Sequence, residues 1–221
     1  FDTDRDRLPE LHKRRIWALF DISAAQDFKD ATRVIANLDQ NGLGLPDRDQ
    51  YLQEDEKSKE TRAFYAKHVE RMMGLVGLSE RAAKTASDDV MRVETELAKV
   101  SKTRVERRDP KGLYNKFDRS GLAKTAPRFP WDDYFAALGA ASVNDVNVTS
   151  VPFFEGVNGL LASIPSSAWQ SYLMWRIVDS SASVLPKAFV DESFAMQAFL
   201  DAKVESGFEI FAQAADLDRH L

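Results

Sequence analysis

The spacing of apolar side chains divides the chain into a short β-type front and a long helical body. After about residue 55, apolar positions recur at steps of three and four, the spacing of one face of an α-helix. The first stripe consists of Tyr65, Val69, Met72 and Val76. It predicts a helix over about 55–76 that ends at Gly77, a residue typical of helix C-termini.

A second, longer stripe follows at once. Ser79 can cap the N-terminus of this helix, and Glu80 lies in its first turn, where a carboxylate is favoured. The stripe consists of Ala82, Ala86, Val90, Val93, Leu97 and Val100. Because so few residues link the two stripes, we predict that the helices pair as an antiparallel hairpin.

The front of the chain carries shorter patterns. The apolar run 16–20 fits either a strand or the buried end of a helix, and residues 21–30 are polar and loop-like. Residues 32–39 alternate in the manner of a strand. One face of this run carries Val34, Ala36 and Leu38. These patterns predict a small antiparallel β pair near the N-terminus.

The later part of the chain is also helical. Residues 166–178 carry apolar groups around much of the circumference of a helix, which predicts a central, mostly buried element. Pro186 should break it, and a further helix should run to about Phe199 and beyond, with apolar tail positions Val204, Phe208, Phe211 and Ala215. We therefore predict one mainly α, multi-helix domain over 1–221, with the small β pair at its front.

Composition excludes several classes of function. The formal net charge is −5 and the pI about 5.3, so nucleic acid is not expected as a partner. The absence of cysteine rules out disulfides, thiolate metal sites and a cysteine nucleophile. No apolar run is long enough to predict a membrane span. With 44% hydrophobic residues, the chain can bury a sizeable core.

The densest turn chemistry lies in the segment 40–52. Asn41-Gly42 and Gly44 allow sharp backbone bends, and Pro46 can open a helical turn. Leu43 and Leu45 indicate that this loop is packed against the body. The glycines lack the spacing and the lysine of a phosphate-binding loop, so we interpret the segment as a structural turn.

Candidate catalytic side chains are sparse. The histidines are His12, His68 and His220, and no two lie three or four residues apart, so no helix presents a histidine pair to a metal. We expect His68 to be a partly exposed helix histidine. No nucleophile elbow of the Gly-x-Ser-x-Gly type occurs. The sequence thus predicts no catalytic residue and no metal ligand.

Two charged residues lie on apolar helix faces. Glu94 borders the stripe of the second long helix, and we expect it to pair with Arg107 or Arg108 as the chain turns back. Arg176 lies on the central helix, where it could face a ligand cavity. The alternative for Arg176, an ion pair with Asp179 at i+3, is favoured. Arg176 is the one substrate-facing candidate.

Several stretches, in order, resemble one family, the neprilysin-like zinc endopeptidases. The most specific is Gly42-Leu43-Gly44-Leu45-Pro46 with Arg48-Asp49. The others are Asp27-Phe28-Lys29-Asp30, Glu94-Thr95-Glu96-Leu97-Ala98, Arg108-Asp109-Pro110 with Tyr114-Asn115, and Tyr172-Leu173-Met174-Trp175-Arg176. The resemblance covers about 7–194, whereas the tail 195–221 looks divergent.

The resemblance implies a fold with two lobes and a different role for each lobe. Members have two largely helical lobes around a cavity, and one lobe carries zinc on a His-Glu-x-x-His helix. The other lobe covers that site and admits only peptides. This chain is similar to the covering lobe and contains no His-Glu-x-x-His sequence, so we expect it to be inactive alone, with zinc confined to the other lobe.

We therefore expect the non-catalytic N-terminal region of such a peptidase, with peptides as partners of the complete enzyme. The alternative is a stand-alone helical binding module derived from that lobe. A truncated product or a divergent protein would both explain the tail 195–221, and either the tail or a second copy should cover exposed lobe-interface surface. A periplasmic or secreted bacterial location is favoured.

Overall fold

The protein folds into nine α-helices and a small sheet over the part that the computed structural model describes, namely the backbone of 7–217 and the side chains of 7–203. The helices are α1 (Leu8–Lys13), α2 (Asp49–Leu52), α3 (Glu56–Leu75), α4 (Glu80–Val100), α5 (Arg119–Thr125), α6 (Trp131–Ala137), α7 (Val151–Ser163), α8 (Ser166–Ser181) and α9 (Lys187–Leu217). The strands are β1 (Phe20–Asp27), β2 (Asp30–Gln40), β3 (Lys116–Phe117) and β4 (Val146–Val148). The fold is mainly α, as predicted.

The sheet is larger than the predicted pair. Its strands lie in the order β1-β2-β4-β3. β1 and β2 form the antiparallel pair expected at the front, from Phe20 opposite Gln40 to Asp27 opposite Asp30. β4 then pairs parallel with β2, and β3 pairs antiparallel with β4. A sheet of mixed pairing therefore replaces the simple hairpin.

The prediction of a loop over residues 21–30 was wrong, because most of that segment is β1. β1 lies at one edge of the sheet and its middle residues, such as Ser23 and Ala24, are exposed, so no buried alternation marks the strand. The predicted face of β2 also fails at one position. Ala36 and Leu38 are buried, but Val34 is 72% exposed because it lies towards the exposed end of the hairpin.

The predicted helical hairpin is confirmed by α3 and α4. Ser79 caps α4 by accepting a hydrogen bond from the Ala82 amide at 3.4 Å, and Gly77 adopts φ +97° in the link. α8 packs against α4, but only seven of its 16 residues are buried, so the predicted burial holds for one face of the helix. Pro186 separates it from α9, as expected.

The buried residues form two apolar clusters on either side of α4 and α8. In the first, the Phe20 ring lies 5.4 Å from that of Phe154 and 5.5 Å from that of Tyr134, in edge or tilted arrangements. The second joins α3, α4 and α8, and Trp175 is fully buried there. Leu43, in the loop between β2 and α2, packs against both clusters.

α9 lies along α3 and explains one correction. His68, expected to be partly exposed, is only 2% exposed, because α9 covers it and places the Glu192 carboxylate 3.0 Å from its Nδ1. The rings of Phe64 and Phe199 stack at 4.0 Å. The predicted apolar side chains after residue 203 and His220 lie outside the described residues. Among the described helices, none is both long and apolar enough to cross a bilayer.

Three glycine substitutions separate backbone strain from close packing. Gly42→Ala should lower the free energy of unfolding by about 3 kcal/mol, because Gly42 has φ +95° and a Cβ there would lie 2.7 Å from the Leu19 amide nitrogen. Gly77→Ala should lower the free energy of unfolding by only about 1 kcal/mol. The φ of Gly77 is equally unfavourable for alanine, but the space around it is open. Urea unfolding measures both.

The helical control is Gly74→Ala in α3, where nothing lies within 4 Å of an added Cβ. It should raise the free energy of unfolding by about 0.5–1 kcal/mol, because alanine is the better helix former. Equal losses for Gly42→Ala and Gly77→Ala would show that the contact with Leu19 contributes nothing.

Candidate functional site

The loop after β2 is fixed to α8 by a single phenol. The Tyr172 hydroxyl accepts a hydrogen bond from the Leu19 amide at 3.0 Å and donates one to the Gly42 carbonyl at 2.9 Å. Leu19 itself has φ +65°, a costly conformation for a bulky residue that the surrounding contacts must hold. Tyr172 therefore joins the chain before β1 to the chain after β2.

Beneath the same loop lies a fully buried carboxylate. Glu94 of α4 is 0% exposed, and its Oε2 accepts hydrogen bonds from the Tyr51 hydroxyl at 2.6 Å and the Gly44 amide at 3.2 Å. Its Oε1 accepts one from the Tyr65 hydroxyl at 3.1 Å. The Trp175 indole in turn donates to the Tyr65 hydroxyl at 2.8 Å. Four elements thus meet at one carboxylate.

The predicted ion pair between Glu94 and Arg107 or Arg108 is wrong. Arg107 instead binds Asp39 with two hydrogen bonds of 3.0 and 2.7 Å, and Glu94 faces into the hairpin. The tyrosine partners of Glu94 were missed, because Tyr51 and Tyr65 lie 43 and 29 residues away in sequence. The one sequence signal for these partners is Glu94 itself, a polar residue on an apolar helix stripe. A buried carboxylate at such a position needs hydrogen-bond donors.

Burial controls the protonation of this carboxylate. Loss of water raises the pKa of Glu94 to about 7, against the charge of Arg176 and the hydrogen bonds from the two tyrosines and Gly44. Burial likewise raises the pKa of Tyr51 and of Tyr65 well above the ordinary value, so both phenols stay protonated donors. The network fixes the loop and has no exposed atom of Glu94 to meet a substrate.

Arg176, the substrate-facing candidate, lies close to this network. It is 8% exposed, its Nε donates to the Trp17 carbonyl at 3.0 Å, and its Nη1 lies 3.5 Å from Asp179 Oδ2. The expected pair with Asp179 is therefore confirmed. Its role toward a substrate stays a prediction.

The two histidines in the described part of the chain, His12 and His68, are held in structural settings. His12 is buried; its Nε2 donates to the Ala18 carbonyl at 3.1 Å, and the Tyr134 hydroxyl lies 2.5 Å from its Nδ1. Burial lowers the pKa of His12 to about 4, so the ring is neutral at pH 7. Within the described part of the chain, no three His, Cys, Asp or Glu side chains are grouped closely enough to hold a metal.

Glu94→Gln tests the buried carboxylate through the pH dependence of stability. Between pH 4.5 and pH 7 the folded protein holds a proton on Glu94 that the unfolded chain releases. The contribution of this group to the free energy of unfolding should therefore fall as pH rises, by up to about 1.4 kcal/mol per pH unit. The difference between wild type and Glu94→Gln, measured by urea unfolding, should show this decline.

His12 acts in the opposite direction, because its pKa is lowered from 6.5 to about 4 and its contribution is lost as pH falls through that range. Taking the difference between two proteins that both keep His12 removes its effect. Glu96→Gln, which removes a carboxylate from the same helix where it pairs with Lys99 at 2.6 Å, is the matched control and should not reproduce the decline. A pH-independent difference for Glu94→Gln would contradict the assignment.

Comparison with known proteins identifies the family. The family model described as Peptidase family M13 matches residues 5–207. Human endothelin-converting enzyme-like 1 is 30% identical over 166 residues, which cover 73% of this chain and 21% of that protein. The endothelin-converting enzyme homologue of Locusta migratoria is 29% identical over 184 residues, covering 78% of this chain and 25% of that protein.

A solved structure supports the same assignment. The zinc metalloprotease ZMP1 of Mycobacterium tuberculosis, in its open state, gives a TM-score of 0.81 at 29% identity, covering 87% of this chain and 30% of that one. The chain therefore spans only about a fifth to a third of these relatives. The predicted resemblance is confirmed: this chain belongs to peptidase family M13, whose model for the N-terminal region it matches over nearly its whole length.

Proposed function

We propose that this chain is the non-catalytic N-terminal region of a neprilysin-like zinc metallopeptidase, which shapes and restricts the entry of peptides to a cavity. The observation that carries this proposal is a match to the family over residues 5–207 in a chain without a His-Glu-x-x-His sequence. Zinc and the groups that activate its water would then belong to another region of a longer protein.

An apolar groove between α1 and α8 supports the proposal. It has a volume of about 710 Å³. Its apolar lining consists of Leu11, Ile16, Leu173, Met174, Ile177 and Val178. Ile177 is 42% exposed and Met174 is 36% exposed, although the other large apolar side chains of α8 are buried. Such a patch is typical of a surface that another domain covers, and we assign it to contact with the zinc-bearing region.

Arg176 lies beside this groove and has a role in the same proposal. It precedes Ile177 on α8, and its guanidinium is held by the Trp17 carbonyl and by Asp179, whose Oδ2 lies 3.5 Å from Nη1. A guanidinium fixed in this way is a suitable donor to a peptide carbonyl or carboxylate in the assembled protein. We keep it as the substrate-facing candidate.

The alternative function is a stand-alone binding module, and the exposed apolar groove also favours it. In that case the groove would contact a second copy or a protein partner. A periplasmic or secreted bacterial location remains part of the proposal, and cell fractionation with an antibody to this chain tests it.

The isolated 221-residue chain should bind no stoichiometric zinc and cleave no peptide. Elemental analysis and a short fluorogenic peptide measure the two properties. Turnover that a chelator abolishes would refute the proposal, because it would require a zinc site within this chain.

In a longer protein that includes this region, the same peptide should be cut, whereas a folded protein carrying the same sequence should resist cleavage. Arg176→Lys in that protein should raise KM more than it lowers kcat if the guanidinium holds the peptide. Equal cleavage of the folded and unfolded substrates would contradict restricted entry.

Sedimentation of the isolated chain tests the groove. If the groove mediates self-association, Ile177→Asp should shift the protein to monomer, because it places a charge in the contact. Val105→Asp is the matched control, since Val105 is 74% exposed and lies outside the groove. A monomer at all concentrations supports the role in a longer protein, and a dimer that Ile177→Asp leaves intact contradicts the use of this groove.

A further inference from the structure

A second cavity lies on the other side of the loop after β2. Its volume is about 480 Å³, and its walls come from that loop, from the segment 101–107 after α4, and from Gln197 and Leu200 of α9. Four cationic side chains line it, namely Arg48, Lys102, Arg104 and Arg107. Among the described lining residues, Asp47 is the one carboxylate. We call this cavity the basic cleft.

Two of the cations are neutralised by carboxylates. Arg104 forms an ion pair with Asp47. Arg107 holds Asp39 in a two-bond contact of 3.0 and 2.7 Å. These pairs line the rim, where Arg104 is 69% and Arg107 is 38% exposed.

The other two cations have only carbonyl partners. Arg48 Nε donates to the Ala98 carbonyl at 2.9 Å, and Lys102 Nζ donates to the Gly112 and Thr149 carbonyls at 2.6 and 2.8 Å. Within the described residues, neither cation forms an ion pair. Carbonyl oxygens orient a cation but do not cancel its charge, so these two half-buried cations have no carboxylate in direct contact within the described residues.

The charges of Arg48 and Lys102 act on a neighbouring acid, Glu106. Hydrogen bonds from the Thr103 amide and hydroxyl lower the pKa of Glu106, and the charges of Arg48 and Lys102 lower it further. The Glu106 carboxylate is nevertheless held by Thr103, at 2.7 and 2.8 Å, and makes no ion pair with either cation. Because Glu106 does not contact them, the donors of Arg48 and Lys102 are left for another anion.

We propose that the basic cleft binds an oxyanion of the phosphate or carboxylate type between Arg48 and Lys102. The two terminal nitrogens of Arg48 make no hydrogen bond within the described residues, and a planar guanidinium matches two oxygens of such a group. Lys102, in the segment after α4, adds a second charge to the lining. The volume exceeds what one small oxyanion fills, so the group would be carried on a small molecule.

This site is independent of the proposed peptidase role. It lies where the loop, the end of α4 and α9 meet, and an anion between Arg48 and Lys102 would link the loop to the segment after α4. A ligand that binds only the folded state raises its apparent stability, and the gain grows with the logarithm of the ligand concentration above Kd.

Isothermal titration of the 221-residue protein tests the proposal, with inorganic phosphate, pyrophosphate and citrate as probes and sodium chloride at equal ionic strength as the reference. Saturable binding of one probe is expected, and its affinity should fall with added salt. Preference for pyrophosphate identifies a phosphate source, and preference for citrate identifies a carboxylate source. No binding beyond that of sodium chloride overturns the proposal.

The variants locate the site. Arg48→Gln should lower the affinity for the preferred probe by about tenfold or more. Arg48→Lys, which keeps the charge but loses the planar guanidinium, should have an intermediate effect. Lys99→Gln is the matched control, because Lys99 lies outside the basic cleft and pairs with Glu96; it should change affinity by less than about twofold.

Binding is measured at a temperature where circular dichroism shows each variant folded, and Lys102→Met provides a second test from the segment after α4. Equal affinity in wild type, Arg48→Gln and Lys102→Met would overturn the site even if anions bind. That outcome would leave the family assignment unaffected.

Discussion

The buried carboxylate of Glu94 is the constraint on which the centre of this structure depends. A carboxylate without water needs several hydrogen-bond donors, and the fold supplies them from Tyr51, Tyr65 and the Gly44 amide. Those donors come from α2, from α3 and from the loop after β2. Satisfying one acidic group therefore fixes the position of three segments relative to α4.

The same requirement explains why the loop contains glycines where it does. A Cβ on Gly44 would lie 1.8 Å from the Tyr65 hydroxyl, inside the network itself, and one on Gly42 would meet both Tyr172 and the Leu19 backbone. The Gly-Leu-Gly-Leu alternation then directs Leu43 towards both apolar clusters and buries Leu45 in the second. The loop thus packs between two apolar clusters. From α8, Tyr172 bonds the loop at Gly42, and Trp175 bonds Tyr65 of the Glu94 network.

This architecture separates a rigid interior from surfaces that are available for contacts. The aromatic cluster and the α3–α4–α8 cluster are tightly packed, and the buried Glu94 and His12 both have structural partners. In contrast, the groove beside α8 carries exposed apolar side chains. The basic cleft beside α9 carries two cations that contact no carboxylate within the described residues. Such surfaces agree with the role we propose, in which this region limits access to chemistry performed elsewhere.

The sequence by itself determined the helical body of this protein. The apolar stripes of α3 and α4 and the turn residues at Gly77 and Pro186 are local signals, because helical periodicity and capping depend on neighbours within a few residues. The family was also recognisable from motifs read in order. Only the tertiary structure decided how β4 joins β2, why the exposed edge strand β1 forms, and which partners Glu94 and His68 receive. Those outcomes depend on residues that are far apart in sequence, whose contacts exist only once the chain has packed, and no local pattern records them.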